Sequence, residues 1–204
     1  MELKSISDIK RSLEAGQLNA RELIEACILA GKEFRIHPLG FVASSILVEK
    51  NFKARLHIWP SIGLHEQSVD CTIHDHVFDF TSWVLAGAVE NIEYPDFKVG
   101  GDRLAYSTTY SGIKSVLTKT NMKVELGRAV KKTISKGESY IVKSGCLHET
   151  RLAGESGAIT LLITRETGKT NPMVIGADKG KYQYEFERRV IGLDELRDYL
   201  NGVC

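Results

Sequence analysis

No stretch of this sequence stays apolar for anything near the ~20 residues that a membrane-spanning helix needs. The opening Met-Glu-Leu-Lys-Ser lacks the apolar centre of a secretory signal. An excess of either charge is missing too, since 27 Lys and Arg stand against 26 Asp and Glu. The longest basic run, Arg128 to Lys136, is broken by Ala129, Val130, Thr133, Ile134 and Ser135. Neither the basic stripe of a nucleic-acid binder nor the charged face of a membrane-surface helix is present. The expectation is a cytoplasmic protein with no nucleic-acid and no membrane partner, as a monomer or homodimer. Cysteine is sparse: Cys27, Cys71, Cys146 and Cys204 form no CxxC pair. A chain of 204 residues can bury a core without disulfides, so reduced thiols are expected.

No internal repeat, low-complexity tract or interdomain linker interrupts the chain, which reads as one domain over 1–204. The first 38 residues are expected to be helical. Ser7 or Asp8 can cap a helix through Leu13 that Gly16 ends, and Asn19-Ala-Arg-Glu22 has the form of a capping box before a helix stopped by Gly31. From 39 to 190 the texture is one of short strand-like runs separated by glycine and polar turns. Many short strands without helices between them predict an antiparallel sandwich or barrel. Two stretches resist that reading: 95–113 is expected to be an irregular or hairpin insertion, and 165–182 a loop. Leu193, Leu196, Tyr199 and Leu200 predict a short C-terminal helix within 191–204.

The chain turns on Thr72-Ile-His-Asp-His-Val-Phe-Asp-Phe80. In an extended strand alternate side chains share a face. His74 and His76 can therefore aim at one point while Asp75 points away, but the pair needs a third ligand. That ligand is expected downstream, in Lys136-Gly-Glu-Ser-Tyr-Ile-Val-Lys-Ser-Gly-Cys-Leu-His-Glu-Thr150. Here a glycine turn leads into an apolar strand, and a second turn at Ser144-Gly145 can return His148 to the same face. Three imidazoles on rigid strands with open metal positions describe a catalytic rather than a closed structural site.

Together these stretches resemble the two motifs of the cupin superfamily, over roughly 40–190. His74, His76 and Gly87 match the first motif, with Phe80 where its Glu would fall. Gly137, Gly145 and His148 match the second, with Lys143 in place of its Pro and Leu152 in place of its Asn. The resemblance implies a mainly β fold, the double-stranded β-helix or jelly-roll barrel, with N-terminal helices and one metal. With Phe80 replacing the carboxylate, the implied inner shell is three neutral histidines, which is similar to the thiol dioxygenase branch that includes cysteine dioxygenase. Trp59 ending its strand and Tyr140-Ile141 before the second motif agree. The cysteine of that branch's crosslink is missing near Phe80 and Thr81, and its Ser-His-Tyr series is missing from Ala158 to Thr164. A substrate other than cysteine is therefore expected.

The implied function is that of a non-haem iron(II) oxygenase or dioxygenase, with zinc, nickel or manganese also suited to the shell. Its partners would be a small-molecule substrate and O2. Two alternatives stand beside it: a metal-dependent lyase or isomerase, and a non-catalytic small-ligand binder. Arg55, His57 and Trp59 share one face of a strand and either line the interior or meet solvent. If inward, Arg55 suits a substrate carboxylate, Trp59 walls the pocket, and His57 is a conceivable fourth ligand. Phe78, Phe80 and Ser82 share the ligands' face. Tyr140 is either a core residue or a catalytic hydroxyl, and Cys146 is more simply a buried thiol than a ligand. His37 and His65 are expected to be structural or solvated, and Asp75 and Asp79 to be solvated.

Overall fold

The computed structural model describes residues 5–61, 71–168, 171–177 and 179–203. Helix α1 (Ile6–Glu14) begins at Ser5 rather than at Ser7 or Asp8. Ser5 accepts the Asp8 N–H at 3.1 Å and donates its hydroxyl to the Asp8 carboxylate at 2.7 Å, so Asp8 is the far half of the cap. Helix α2 (Ala20–Leu29) starts as the capping box predicts, with Asn19 accepting from the N–H groups of Arg21 and Glu22. Both helices lay Ile9, Leu13, Leu23 and Cys27 on the outer face of a sheet, against Leu56, Ile58, Ile159 and Leu161. Helix α3 (Leu193–Leu200) closes the same layer through Leu196. No helix among the described residues is long and apolar enough to cross a membrane.

The strands are β1 (Arg35–His37), β2 (Phe41–Glu49), β3 (Phe52–Trp59), β4 (Ile73–His74), β5 (Phe78–Ala86), β6 (Ala88–Tyr94) and β7 (Phe97–Ser111). They continue as β8 (Lys114–Leu126), β9 (Val130–Ser135), β10 (Ser139–Val142), β11 (Leu147–Leu152), β12 (Ala158–Glu166), β13 (Met173–Gly176) and β14 (Gln183–Glu187). One sheet runs β1-β2-β3-β12-β5-β10 and the other β14-β8-β7-β13-β4-β11-β6-β9. Every pairing between them is antiparallel, which makes the fold an antiparallel jelly roll of the kind the motifs implied. β12 is buried from Ala158 to Thr164 because it runs between β3 and β5 with helices on one face and the barrel interior on the other. A strand covered on both faces reads as a continuous apolar run rather than an alternating one.

Four expectations are refined or corrected. The 95–113 stretch is not irregular but hairpin, being mostly the 15-residue strand β7, the first arm of a long hairpin with β8. Its register shifts between Val99 and Arg103, around Gly100 and Gly101, and its first half is exposed, so no apolar alternation announced it. The 165–182 loop contains β13, four residues that pair with both β4 and β7. β1 lies inside the region expected to be helical. The stretch Thr72 to Phe80, read above as extended, is also not one strand: it breaks after His74 and resumes at Phe78. At the break, the backbone groups of Asp75 and His76 bond to neighbours outside any regular ladder.

Candidate metal centre

His74 ends β4, and His148 lies directly across from it on β11. Directly opposed residues on antiparallel strands bring their side chains together, and these two ring centroids are 4.7 Å apart. His76 lies beyond the strand, yet its ring sits 4.7 Å from that of His74 and 5.1 Å from that of His148. The turn of the second motif holds it there. The His76 carbonyl accepts the Gly145 N–H and the Ser144 hydroxyl, each at 3.1 Å. Gly145 makes that turn at φ 82°, a backbone region that glycine enters without steric cost.

One ring nitrogen from each of the three histidines lies within 4.8 Å of the others. His74 Nδ1 is 2.8 Å from the Thr72 carbonyl, and His148 Nδ1 is 3.2 Å from the Cys146 carbonyl. A carbonyl can only accept, so both Nδ1 atoms carry the proton and both Nε2 lone pairs are free for a metal. The same device, a bond to the residue two earlier, orients a ligand on each strand. His76 is held instead by stacking on Phe78, with centroids 4.6 Å apart and planes 17° apart. Burial pushes all three pKa values down, that of His148 to about 3, so neutral imidazoles face the site. Three neutral imidazoles fit a borderline divalent cation such as iron(II), zinc or nickel. Among the described residues no carboxylate or thiol joins the group. Phe80 occupies its flank, with its ring 5.4 Å from His76 and 5.6 Å from His148.

The three histidines open into a cavity of about 680 Å³ between the two sheets, within the usual size of a small-molecule site. No protein-family model matches the chain. No curated protein matches it. Among solved structures, a variant of Bacillus subtilis oxalate decarboxylase is 14% identical over 69% of this chain and 29% of its own length, with a TM-score of 0.41. The DMSP lyase DddQ from Ruegeria pomeroyi is 15% identical over 70% of this chain and 60% of its own, also at 0.41. The formate complex of Lactobacillus farciminis oxalate decarboxylase is 11% identical over 82% and 47%, again at 0.41. This chain thus spans between 29% and 60% of the lengths of these three structures.

The open question about β3 has a definite geometric answer. Arg55, His57 and Trp59 all line the cavity, while Ala54, Leu56 and Ile58 pack outward beneath the helices. Arg55 lies over the Phe78 ring at 5.1 Å, and Phe78 in turn stacks on His76, so its guanidinium sits at the level of the three histidines. His57 is not a fourth ligand. It packs on Phe41 at 4.4 Å, and burial pushes its pKa down to about 3. Trp59 walls the cavity and donates its indole N–H to Thr160 at 3.2 Å. Tyr140 is buried, lines the cavity and places its hydroxyl 3.4 Å from that of Thr150. Phe78 and Phe80 line it as the alternation of β5 predicts.

Cys146 does not reach the centre. Its thiol lies 3.8 Å from Glu93, and burial pushes its pKa up to about 11. Cys27 and Cys146 are free thiols. Asp75 is buried rather than solvated and accepts the Met173 N–H at 2.7 Å, which ties β13 to the ligand segment. Asp79 does face outward, pairing with Arg165 at 2.9 Å and Lys143 at 3.3 Å. His37 is the residue most underestimated from sequence. It lines the cavity, stacks on Phe41 at 4.3 Å and accepts the Leu39 N–H through Nδ1 at 3.2 Å. His65 and its loop lie outside the described residues, as does Cys204. Arg35, Tyr110 and Arg188 also line the cavity, and no local motif marks them.

Proposed function

We propose that this chain is a mononuclear non-haem iron(II)-dependent dioxygenase of the cysteine dioxygenase-like cupin type, acting on a small molecule that coordinates the metal together with O2. The observation that carries the reading is the composition of the centre: three neutral imidazoles, with Phe80 rather than a carboxylate at their flank. Bound iron(II) would supply a redox-active Lewis acid with positions open to substrate and O2. His74, His76 and His148 would hold it without neutralising its charge, which favours an anionic or chelating ligand. Arg55, beside them over Phe78, receives a substrate carboxylate through its planar fork of donors. Phe78, Phe80 and Trp59 keep bulk water from the reacting atoms. The Tyr140 hydroxyl, which donates to Thr150 while Thr150 donates to Asn91, would offer its oxygen as an acceptor to the substrate.

The test is anaerobic reconstitution with iron(II), followed by O2-uptake measurements against acidic thiols, amino acids and small hydroxy acids. Uptake coupled to loss of one substrate class is expected, abolished in His148→Ala and with a raised KM in Arg55→Lys. Turnover that proceeds without O2 and equally well with zinc would overturn the reading in favour of a lyase or isomerase. Ligand binding with no turnover under any metal would leave a sensor.

A further inference from the structure

The cavity carries more positive charge than its own residues neutralise. Lys32, Arg35, Lys53, Arg55 and Arg188 line it, against Glu33 and Glu166. The two carboxylates are already engaged: Glu33 pairs with Arg35 at 2.6 Å, and Glu166 with Lys53 at 2.8 Å. Among the described residues neither Arg55 nor Arg188 has a carboxylate within ion-pair distance. Each guanidinium instead rests on an aromatic ring, Arg55 on Phe78 at 5.1 Å and Arg188 on Tyr110 at 5.4 Å. A half-buried guanidinium stacked on a ring keeps its planar fork of donors presented, and it costs free energy unless an anion arrives.

The two cations sit at different depths. Arg55 is at the level of the metal ligands through Phe78. Arg188 is at the mouth, where Tyr110 is 57% exposed. The backbone of Arg188 is fastened on both sides. Its N–H donates to the Ile113 carbonyl at 3.0 Å, and its own carbonyl accepts from Arg35 Nη1 at 3.0 Å. It therefore joins the β7–β8 turn to the β1 edge while its side chain stays available. Burial and the neighbouring Arg35 both lower the Arg188 pKa, and Arg55 feels Arg188 in the same sense, as expected of cations sharing one low-dielectric space.

We propose that Arg188, stacked on Tyr110, is a second anion subsite at the cavity mouth, and that the substrate is a linear molecule with an acidic group at each end. One end would lie against Arg55 and the metal, the other against Arg188. The placement of the inner end rests on the function proposed above; the outer subsite rests on the charge balance and geometry of the mouth.

The probe is a length series of linear dicarboxylates, each compared with the monocarboxylate of the same chain length. Binding is measured by calorimetry to the full chain reconstituted with zinc, which undergoes no oxygen chemistry. One dicarboxylate is expected to bind at least about tenfold tighter than its monocarboxylate, a difference that equates to about 1.4 kcal/mol. Arg188→Gln should erase that advantage and leave monocarboxylate affinity within about twofold, while Arg188→Lys keeps part of it. Tyr110→Leu, which removes the stacking surface and leaves the Arg188 backbone bonds intact, should also reduce only the dicarboxylate advantage. If no dicarboxylate outbinds its monocarboxylate, or if Arg188→Gln weakens both equally, the outer subsite does not exist. Because oxygen takes no part in this measurement, failure of the dioxygenase reading with the dicarboxylate advantage intact would leave the subsite standing.

Discussion

The Thr72 hydroxyl donates to the Glu149 carboxylate at 2.7 Å, and the carbonyl of the same Thr72 receives the Nδ1 proton of His74 at 2.8 Å. Glu149 directly follows His148, so one contact between β11 and the residue before β4 ties the supports of His74 and His148 together. Tyr94 adds a bond to the other carboxylate oxygen at 3.1 Å.

From that relationship, Thr72→Val should lower metal affinity by about tenfold, the lower end of what an outer hydrogen-bonding group contributes. The hydroxyl is lost while the side-chain volume stays similar. Competition with a chelator reads the affinity, and unchanged circular dichroism shows that the fold is retained. Equal affinity in the variant and the parent would show that the Thr72–Glu149 bond plays no part in orienting His74.

Phe80→Glu would return a carboxylate to the flank of the centre. Without metal, that charge is buried beside His76 and His148, and the protein should lose about 3 kcal/mol or more of stability. Added divalent metal should restore much of the loss, because the carboxylate then has a partner. Chemical denaturation with and without metal checks both halves of the statement.

Gly87 and Gly137 both sit in the left-handed region, at φ 67° and 88°, but only the first is crowded. A Cβ at Gly87 would run into the Gly157 carbonyl, whereas at Gly137 nothing lies within 4 Å. Gly137→Ala should therefore cost about 1 kcal/mol, and Gly87→Ala about 2–3 kcal/mol, since backbone collision adds to conformational strain. Urea midpoints of the two variants measure the gap, and equal costs would show that the β5–β6 turn relaxes freely.

Glu195 accepts both Arg189 Nη atoms, at 2.7 and 2.9 Å, and the Tyr199 hydroxyl at 2.7 Å. The Arg189 and Tyr199 hydrogen bonds hold its pKa down at about 2, against an ordinary glutamate value of about 4.3. A depressed carboxylate pKa stabilises the folded state fully above the ordinary value and progressively less as pH falls through the folded value. Glu195→Gln should thus destabilise the chain at neutral pH by no more than about 1 kcal/mol, given how much water reaches the pair. The difference from the parent should fade between about pH 4.5 and 2 in thermal melts. A difference that stays constant with pH would sever it from the ion pair.

The clustering of His74, His76 and His148 was legible in the sequence because each sits inside a short pattern: two histidines two apart, then a glycine turn before a third. The face of β3 carrying Arg55, His57 and Trp59 was legible as a face. Its direction was not, because direction depends on which side the helices cover. Other misses have a common physical origin. Asp75 looked solvated by alternation, but the strand ends at His74 and its carboxylate is spent on the Met173 backbone. β7 was hidden by a glycine bulge and an exposed half, and β13 by its four-residue length. Arg188 and Tyr110 meet across 78 positions of sequence through the β8–β14 and β7–β8 pairings, which no local pattern encodes.

The anchoring of these groups also bears on how such a protein can diversify. The three histidines ride on β4, on β11 and on the segment just after β4 that the β10–β11 turn holds, all tied to the barrel by backbone bonds. Tyr110 and Arg188 ride on the end of a hairpin and on the segment after the last strand. Insertions or substitutions in those outer pieces can alter what is admitted at the mouth without disturbing the three histidines. Inheritance of the histidine cluster and drift at the cavity mouth are mechanically separate in this architecture.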